Sequence, residues 1–336
     1  MAQISQYQEM QKPALRGLVN AVLKDRAKAP KIADRFLPND NIDSSTFAYD
    51  IVKKSTHIAA MIGYGAEPPV VDRDAVAQVA GEVAKLGLKY IATEEELLAI
   101  ASARSNDSKR AAIDKLITKG VDLIDAILLR VDVMKLEALT KGTFTYNKNA
   151  VKIDIDFGVP AANKVTSDWT IPDHDVIGDL LDWIKKFQDA NGGQSPAEIW
   201  LSRDIQRLLL KNAVIVSEVG RPVNGAGRVN AEELTKVLGA YGIPPIRVVT
   251  NRSVTVKDIY SGEEETIEFM PINRVVMLGE GIGNFLFGPT VENDYKPGIV
   301  LDAYDKIEPI QSVMRAVAAG FPAIDTPSLI FYADVM

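Results

Sequence analysis

The chain has 336 residues, 47% of them apolar, and a formal net charge of −7, a composition that suggests an ordinary soluble protein of about two domains. Because it has no cysteine, disulfide frameworks, thiolate metal sites and thiol nucleophiles are excluded, and its acidic balance argues against tight wrapping of nucleic acid. Its apolar runs are too short to span a bilayer and its first residues carry no signal-peptide core, so we expect a cytoplasmic protein with no membrane partner.

The first 41 residues have few packing residues and an excess of cations. One helix is predicted from Pro13 to Lys28, and Pro30 and Pro38 prevent it from continuing. We expect an arm that a neighbouring surface has to order, because its apolar residues are too sparse to form a core. The cations of this arm are Lys12, Arg16, Lys24, Arg26, Lys28, Lys31 and Arg35.

Two strands joined by a long loop follow the arm. Partial alternation predicts one strand from Ser44 to Thr56 and a second from Val79 to Thr93, with glycines and prolines between them. The tip of this hairpin is apolar, which favours a contact with a partner, although a hairpin folded back on its own domain explains the pattern as well. The tip residues of this candidate subunit interface are Ile58, Met61, Ile62 and Tyr64.

A long helix dominates the next part of the chain. Thr93 and Glu96 have the spacing of a capping box and predict a short helix, and the long one then runs from Asp107 to Lys141 without a proline. At about 1.5 Å per residue it is roughly 50 Å long. Its polar residues, Lys135 among them, fall mostly off the apolar face. Gly120 lies on or near that face and has two interpretations: close approach to an underlying sheet, or a hinge where the helix bends.

The remaining chain has the pattern of a compact α+β region. A hairpin is predicted from Thr143 to Phe157, a helix from Asp173 to Gln188 and a glycine-rich loop from Gly220 to Gly227. Further helices and strands alternate from Ser195 onward. After Ile299 two more strand-like stretches follow, which indicates that the chain returns to the region of the long helix.

No catalytic or cofactor motif is complete in this sequence. His57 and His174 are the only histidines, so a histidine-rich metal centre is excluded, and no nucleophile-elbow sequence supports a serine triad. We interpret His174 as a residue at a helix N-terminus. The carboxylates that could in principle gather a cation are expected to be solvated instead; they are Asp154, Asp156 and Asp173.

Two glycine-containing segments resemble functional motifs only in part. Asp156-Phe157-Gly158 spells the metal-binding tripeptide of protein kinases, but the other kinase motifs are absent, so we interpret it as a strand ending in a turn. Gly279, Gly281 and Gly283 lack the spacing of a phosphate-binding loop and are interpreted as a tight hairpin connection. We therefore expect no enzyme activity, no cofactor and no metal.

The order of the parts, with several short motifs, resembles the major capsid proteins of tailed bacteriophages, specifically the lambda-type capsid protein E family with the HK97 fold. The resemblance runs from about Phe36 to the end, and each motif is weak without the others. The matching segments are Leu139-x-x-Gly142-x-Phe144-Thr145 with the VKIDIDFG strand, Val276 to Gly279, Gln311 to Met314, Pro327-Ser328-Leu329 and Ala333-Asp334.

This resemblance implies an α+β capsid fold built from five parts. They are an N-arm (1–41), an E-loop hairpin (42–93), a P-domain with the long spine helix and a hairpin (94–190), an A-domain (191–290) and a return to the P-domain (291–336).

The function implied is that of a major head protein, whose hexamers and pentamers form the icosahedral shell of a virion around packaged double-stranded DNA. Assembly in the cytoplasm of a bacterial host is implied as well, with scaffold and portal proteins, and in some relatives a decoration protein, as partners. An encapsulin-type compartment that holds a cargo enzyme is the alternative on the same fold, and an enzyme of a new class is less favoured.

Overall fold

The computed structural model describes residues 4–44, 46–52, 76–82, 84–102, 105–148, 151–220, 227–306 and 311–336. This described part contains both helices and sheets, which confirms the predicted α+β class. Its helices are α1 (Lys12–Arg26), α2 (Glu94–Ala101), α3 (Asn106–Lys141), α4 (Val176–Ala190), α5 (Arg203–Leu209), α6 (Ala213–Glu218) and α7 (Ala231–Ala240). Short 3-10 helices lie at Ile4–Gln6, Gln8–Met10, Ile32–Arg35, Ala161–Asn163, Val291–Asn293 and Pro327–Leu329.

The strands of the described residues are numbered in chain order. They are β1 (Asn39–Asn41), β2 (Thr46–Val52), β3 (Val76–Glu82), β4 (Ala84–Ala92), β5 (Thr143–Lys148), β6 (Val151–Asp156), β7 (Lys164–Thr166), β8 (Glu198–Ser202), β9 (Ile246–Val249), β10 (Ser253–Lys257), β11 (Glu264–Glu268), β12 (Arg274–Leu278), β13 (Gly283–Thr290), β14 (Lys296–Pro297), β15 (Val300–Lys306), β16 (Gln311–Ile324) and β17 (Ile330–Asp334).

The described residues divide into two compact units. The first takes its residues from Met1–Ala48, Ala80–Lys135 and Asn284–Ala323, and the second from Tyr49–Val79, Leu136–Gly283 and Ile324–Met336. A six-stranded sheet in the order β1-β13-β16-β15, with β14 on β13 and β4 on β16, forms the centre of the first unit. A five-stranded sheet in the order β7-β17-β12-β8-β9 forms the centre of the second unit.

Helix α1 shows how the basic arm is ordered. Leu15, Val19 and Val22 recur at helical spacing, and all three are buried, so α1 has one apolar face. That face packs on β15 of the same chain. The neighbouring surface that the arm needs is therefore supplied, for α1, by the first unit itself.

The long helix α3 confirms the predicted long helix, but the part before Val131 differs from the last part. Up to Val131 it is amphipathic, with Ile113, Leu116, Gly120, Ile124 and Ile127 buried at spacings of three and four residues. From Val131 to Thr140 nearly every side chain is buried, polar residues included. The last part of α3 is thus a core helix rather than a surface strut.

Helix α4 anchors the second unit. Asp175 accepts a hydrogen bond from the backbone N–H of Gly178 at 2.9 Å and caps the helix, as Asp, Asn, Ser and Thr commonly do. One face of α4 is buried, and on it Trp183 stacks on Trp169 with ring centroids 5.4 Å apart. Such stacked pairs contribute about 0.5–1.5 kcal/mol beyond the area that they bury.

The predicted strand from Val79 to Thr93 is wrong as a single element. The structure has two strands there, and β3 pairs with β2 whereas β4 pairs with β16 in the six-stranded sheet. The pairing of β2 with β3 agrees with the predicted hairpin. Alternation within each strand is visible in the sequence, but the change of pairing partner depends on residues more than 200 positions away.

The predicted hairpin connection through Gly279, Gly281 and Gly283 is also wrong. Strand β12 is paired on one edge by β8 and on the other by β17, so no edge is left for β13, which joins a different sheet. Gly281 has a φ of +79°, which favours glycine. A Cβ on Gly279 would lie 2.7 Å from Leu329 Cδ2, so this glycine permits a close approach of two segments.

Candidate functional site

The predicted tip of the hairpin lies outside the described residues. Ile58, Met61, Ile62 and Tyr64 all fall within 53–75, between the ends of β2 and β3. The proposed interface at this tip therefore stays a prediction from the sequence.

Gly120 is buried on the sheet-facing side of α3 in the first unit. A Cβ built on it would lie 2.9 Å from Leu301 Cδ2 of β15 and 2.9 Å from Met314 Sδ of β16. Real Cβ atoms essentially never come that close to a neighbour, so the ends of both side chains would have to shift to admit one. The glycine thus lets the helix lie close on the sheet, and the hinge hypothesis for the same residue is a separate proposal.

A buried cluster of charges fixes the end of the arm to α3 within the first unit. Lys135 is only 1% exposed, and its Nζ donates to Asp34 Oδ1 at 2.6 Å. Asp132 lies one turn before Lys135, with the Nζ of Lys31 3.9 Å from its carboxylate. The Lys135 ammonium also lies 5.6 Å from the ring centroid of Phe285, a cation–π distance. The prediction that Lys135 lies off the packed face is therefore wrong.

Burial lowers the pKa of the lysine in this cluster and raises the pKa of one of its aspartates. Desolvation lowers the pKa of Lys135, against the hydrogen bond and charge of Asp34, which raise it. Desolvation raises the pKa of Asp132, and its Oδ1 has no hydrogen-bond partner among the described residues. Removing one partner of such a pair would leave a buried charge unpaired, so the cluster is expected to hold the 3-10 helix Ile32–Arg35 in place.

Ser167, His174 and Asp179 come together in the second unit, although they do not form a catalytic triad. In a triad, one ring nitrogen of the histidine faces the serine and the other faces the carboxylate. Here the same atom, His174 Nε2, lies 2.7 Å from Asp179 Oδ2 and 3.1 Å from Ser167 Oγ. The serine hydroxyl also donates to Asp179 Oδ2, at 2.6 Å, so it is directed at the acid rather than at a substrate.

The arrangement joins the segment around Ser167 to the first turn of α4. Asp179 Oδ2 accepts a third hydrogen bond, from Trp169 Nε1 at 2.8 Å. Partial burial is the largest single influence on the pKa of Asp179 and raises it, but the hydrogen bonds from Ser167, Trp169 and His174 together outweigh it, so the pKa is lowered. We call these four residues the Asp179 clasp. The sequence analysis placed His174 in the first turn of a helix that begins at Asp173, whereas α4 begins at Val176 and His174 lies just before its N-cap residue Asp175.

The other sequence motifs have structural explanations. Asp156 ends β6, its Oδ1 accepts from the backbone N–H of Gly158 at 2.9 Å, and Gly158 has a φ of +74°, so the tripeptide is a strand followed by a turn. Asp154 and Asp173 are exposed. Within the described ranges no group of three His, Asp or Glu side chains is placed to hold a metal ion, and no helix is long and apolar enough to cross a membrane.

A comparison with models of known protein families covers most of this chain. The family model described as "Phage major capsid protein E" matches residues 15–300. The chain belongs to this family. A comparison with curated protein sequences found no significant match.

Solved structures show that this member of the capsid protein E family has a known fold. A protein described as a capsid protein of a prophage of E. coli CFT073 matches with a TM-score of 0.63 at 15% identity, over 97% of this chain and 99% of that one. A phage-related protein from Bordetella bronchiseptica RB50 matches with a TM-score of 0.53 at 11% identity, over 95% and 96%. The asymmetric unit of the mature capsid of bacteriophage PhiM1 matches with a TM-score of 0.50 at 11% identity, over 91% and 87%. The predicted HK97-like capsid fold is thus confirmed.

Sequence reasoning missed the two polar clusters of this capsid protein. The partners Lys135 and Asp34 are 101 residues apart in sequence, and no local pattern links them. The Asp179 clasp is more local, because Ser167, Trp169, His174 and Asp179 lie within 13 residues. The sequence did carry a signal for this clasp: a tryptophan and a histidine precede a predicted helix that has an acid in its first turn.

Proposed function

We propose that this chain is the major head protein of a tailed phage, whose copies form hexamers and pentamers of an icosahedral shell around packaged double-stranded DNA. The observation that carries the proposal is the capsid-family match over residues 15–300 together with the full-length likeness to a prophage capsid protein. In this proposal the chain assembles in the cytoplasm of a bacterial host and resides in the virion. Its partners are other copies of itself, scaffold and portal proteins, and in some shells a decoration protein.

The parts of the chain take the roles that the family resemblance implies. We assign residues 1–41 to the N-arm, 42–93 to the E-loop, 94–190 and 291–336 to the P-domain, and 191–290 to the A-domain. The E-loop tip with Ile58, Met61, Ile62 and Tyr64 then contacts a neighbouring subunit.

The charge of the chain is consistent with a container for DNA. A net charge of −7 gives little non-specific attraction for phosphates, and a wall that bound DNA tightly would hinder both packaging and release. We therefore expect the DNA to be enclosed without sequence-specific binding.

Analysis of the particle contents tests the proposal. Particles are purified from a host that produces the complete phage, treated with nuclease and then extracted. We expect nuclease-protected double-stranded DNA. Particles that contain a single enzyme and no DNA would instead support the encapsulin-type compartment.

A further inference from the structure

The four most exposed large apolar side chains of the described residues lie in two turns. Val291 and Tyr295, 66% and 75% exposed, belong to the turn of residues 290–296 in the first unit. Ile259 and Tyr260, 69% and 63% exposed, belong to the turn of residues 258–264 in the second unit. Exposed apolar side chains that lie together at a rigid site often mark a contact with a partner.

The turn of residues 290–296, here called the basic turn, is held in an uncommon conformation. Asp294 and Tyr295 have φ values of 55° and 60°, and a bulky side chain such as tyrosine rarely adopts this left-handed region. The turn is fixed from several sides: Tyr295 N donates to Thr290 O at 3.0 Å, and Asn293 Nδ2 donates to the backbone oxygens of Lys296 and Pro297 at 3.1 Å. Backbone strain of this kind persists only where the surroundings enforce it, and it concentrates at functional sites.

Cations surround the basic turn. The carboxylate of Asp294 pairs with Arg16 and lies 3.7 Å from Lys12 Nζ. The carboxylate of Glu292, in the same turn, pairs with Lys85 Nζ at 2.7 Å and lies 3.8 Å from Arg315. Arg315 also pairs with Asp302. Lys296 is exposed and has no side-chain partner among the described residues. Positive charges are therefore in excess around Val291 and Tyr295, in a chain that is acidic as a whole.

The turn of residues 258–264, here called the acidic turn, joins β10 to β11 and is equally well fixed. Asp258 Oδ1 accepts from the backbone N–H groups of Tyr260 and Ser261 at 2.8 and 2.9 Å. Its Oδ2 accepts from Lys148 Nζ of β5 at 2.5 Å. Gly262 supplies the residue with positive φ, at 75°. The hydrogen bonds to Asp258 thus hold the turn in one conformation that exposes Ile259 and Tyr260 to solvent.

Acidic side chains surround this second apolar tip. Glu263 and Glu264 are exposed and have no side-chain partner among the described residues. Asp258 and Glu265 share the single ammonium of Lys148. Lys257 is the other cation near this turn, so the four acids outnumber the two lysines and negative charge is in excess.

We propose that the basic turn of one copy of this chain binds the acidic turn of a second copy. Each turn presents an aromatic and an aliphatic side chain, and the charges around the two have opposite sign, so each is the complement of the other in both properties. Both turns are already ordered, which lowers the entropic cost of binding. Because the two surfaces differ, the contact is heterologous, and such contacts repeat from copy to copy and close into a ring where the rotation between copies allows it. This proposal rests on the proposed function in that it needs the chain to self-assemble.

Charge reversal with rescue tests the pairing. One variant carries Glu263→Lys with Glu264→Lys, a second carries Lys12→Glu with Lys296→Glu, and a third combines all four substitutions. Like charges placed across an interface disfavour it, so we expect each of the first two variants to need at least about tenfold more protein for the same shell yield. The third variant should recover most of the wild-type yield. As a control, Lys185→Glu with Lys186→Glu on the exposed face of α4 should assemble like wild type.

The outcomes separate this proposal from the proposed function. Two outcomes would show that the pairing is wrong while the capsid function stands, provided that wild-type protein forms shells. In the first, both reversal variants form shells at the wild-type protein concentration. In the second, the combined variant does not recover the shell yield. If wild-type protein forms no shell under any condition, the proposed function itself is contradicted. Circular dichroism of each variant shows that its subunit is folded.

Engineered cysteines give an independent test of proximity, since the chain has no cysteine of its own. Shells of a variant with both Tyr260→Cys and Tyr295→Cys are treated with a short bismaleimide and dissolved in detergent. We expect dimers and higher multimers from the double variant and monomers from each single variant. Dimers from a single variant would show that like turns meet each other and would overturn the proposal.

Discussion

Gly120 and Gly17 are both glycines inside helices, but their surroundings differ. Nothing lies within 4 Å of a Cβ built on Gly17 of α1, whereas Leu301 and Met314 crowd one built on Gly120. Gly17→Ala should therefore raise the free energy of unfolding by up to about 1 kcal/mol through helix propensity. Gly120→Ala should give a smaller gain than Gly17→Ala, because the ends of the Leu301 and Met314 side chains must shift to admit the methyl group and this overpacking offsets the gain in helix propensity. Urea denaturation measures both, and equal stabilisation by the two substitutions would contradict the packing explanation.

The hinge hypothesis for Gly120 concerns assembly rather than folding. If the spine helix bends at this residue in a precursor shell and straightens on expansion, Gly120→Ala subunits should fold but yield fewer precursor shells. The yield of precursor shells and their rate of expansion, compared with wild type, are the quantities to measure. Unchanged values of both would leave close packing as the sole role of the glycine.

The Asp179 clasp should make part of the stability dependent on pH. The pKa of Asp179 is lowered in the folded chain, so its contribution is fully present above the unfolded value of about 3.9 and is lost as the pH falls through the folded pKa. Asp179→Asn should lower the free energy of unfolding by about 1–3 kcal/mol at pH 7, since charged hydrogen bonds are lost.

Fluorescence of the stacked Trp169 and Trp183 during urea unfolding follows this change. The difference in the free energy of unfolding between wild type and Asp179→Asn should shrink as the pH is lowered below about 4. Asp182→Asn, an exposed position on the same helix, is the control and should have little effect. A difference that stays constant down to the acid limit would contradict the role of the charged carboxylate.

At the scale of elements, local signals in the sequence were sufficient where the stabilising contacts are local. The predicted capping box of α2 is present: Thr93 Oγ1 accepts from Glu96 N at 3.3 Å, and Glu96 Oε2 accepts from Thr93 N at 2.9 Å. Helix α6 was missed because its Ala-Val-Ile-Val run favours a strand, although Asn212 caps it by accepting from Ile215 N at 3.2 Å.

Strands that depend on distant partners were not predictable in the same way. The three residues of β7 form a strand only because they pair in parallel with β17, more than 160 residues later. Strand β15 was missed for a different reason, since its partner β16 is the next strand along the chain: its acids favour a loop, but Asp302 pairs with Arg315 and Asp305 accepts from Ser312, both on β16. Such pairings are set by the tertiary fold, which a single sequence pattern does not encode.

The E-loop gives a prediction at this scale, although its tip is outside the described residues. If Ile62 is buried on a neighbouring subunit, its contact contributes roughly 1.5–3 kcal/mol to the association of the two subunits. A charge at this position would weaken that contact in every copy of the shell. Ile62→Asp protein should stay folded and soluble but form few shells, whereas Ile62→Leu should assemble normally. Sedimentation of the assembled fraction measures this, and normal shells from Ile62→Asp would argue against the placement.

Covalent joining of subunits is the second question for the E-loop. Some relatives join an E-loop lysine to an asparagine near the end of a neighbour's P-domain, and the lysine donors here would be Lys53, Lys54, Lys85 or Lys89. Residues 298–336 contain no asparagine, and Lys85 pairs with Glu292. We therefore expect mature particles to give a single monomer band on a denaturing gel. A ladder of multimers would overturn this expectation.

At the scale of the whole molecule, the order of the parts was more informative than any single motif. The arm, the hairpin, the long helix, the α+β region and the returning strands each have weak signals, but together they indicated the capsid fold that the family match and the solved structures confirm. The absence of a complete catalytic motif in so long a chain pointed in the same direction. The arrangement of copies in a shell is a property of the assembly and is proposed from the family.

Electron microscopy of the purified protein tests the central claim most directly. The protein is expressed alone and with its scaffold, concentrated, and imaged over a range of protein concentrations. We expect closed icosahedral shells with rings of six and of five subunits. Protein that stays monomeric at every concentration, with and without scaffold, would contradict the account.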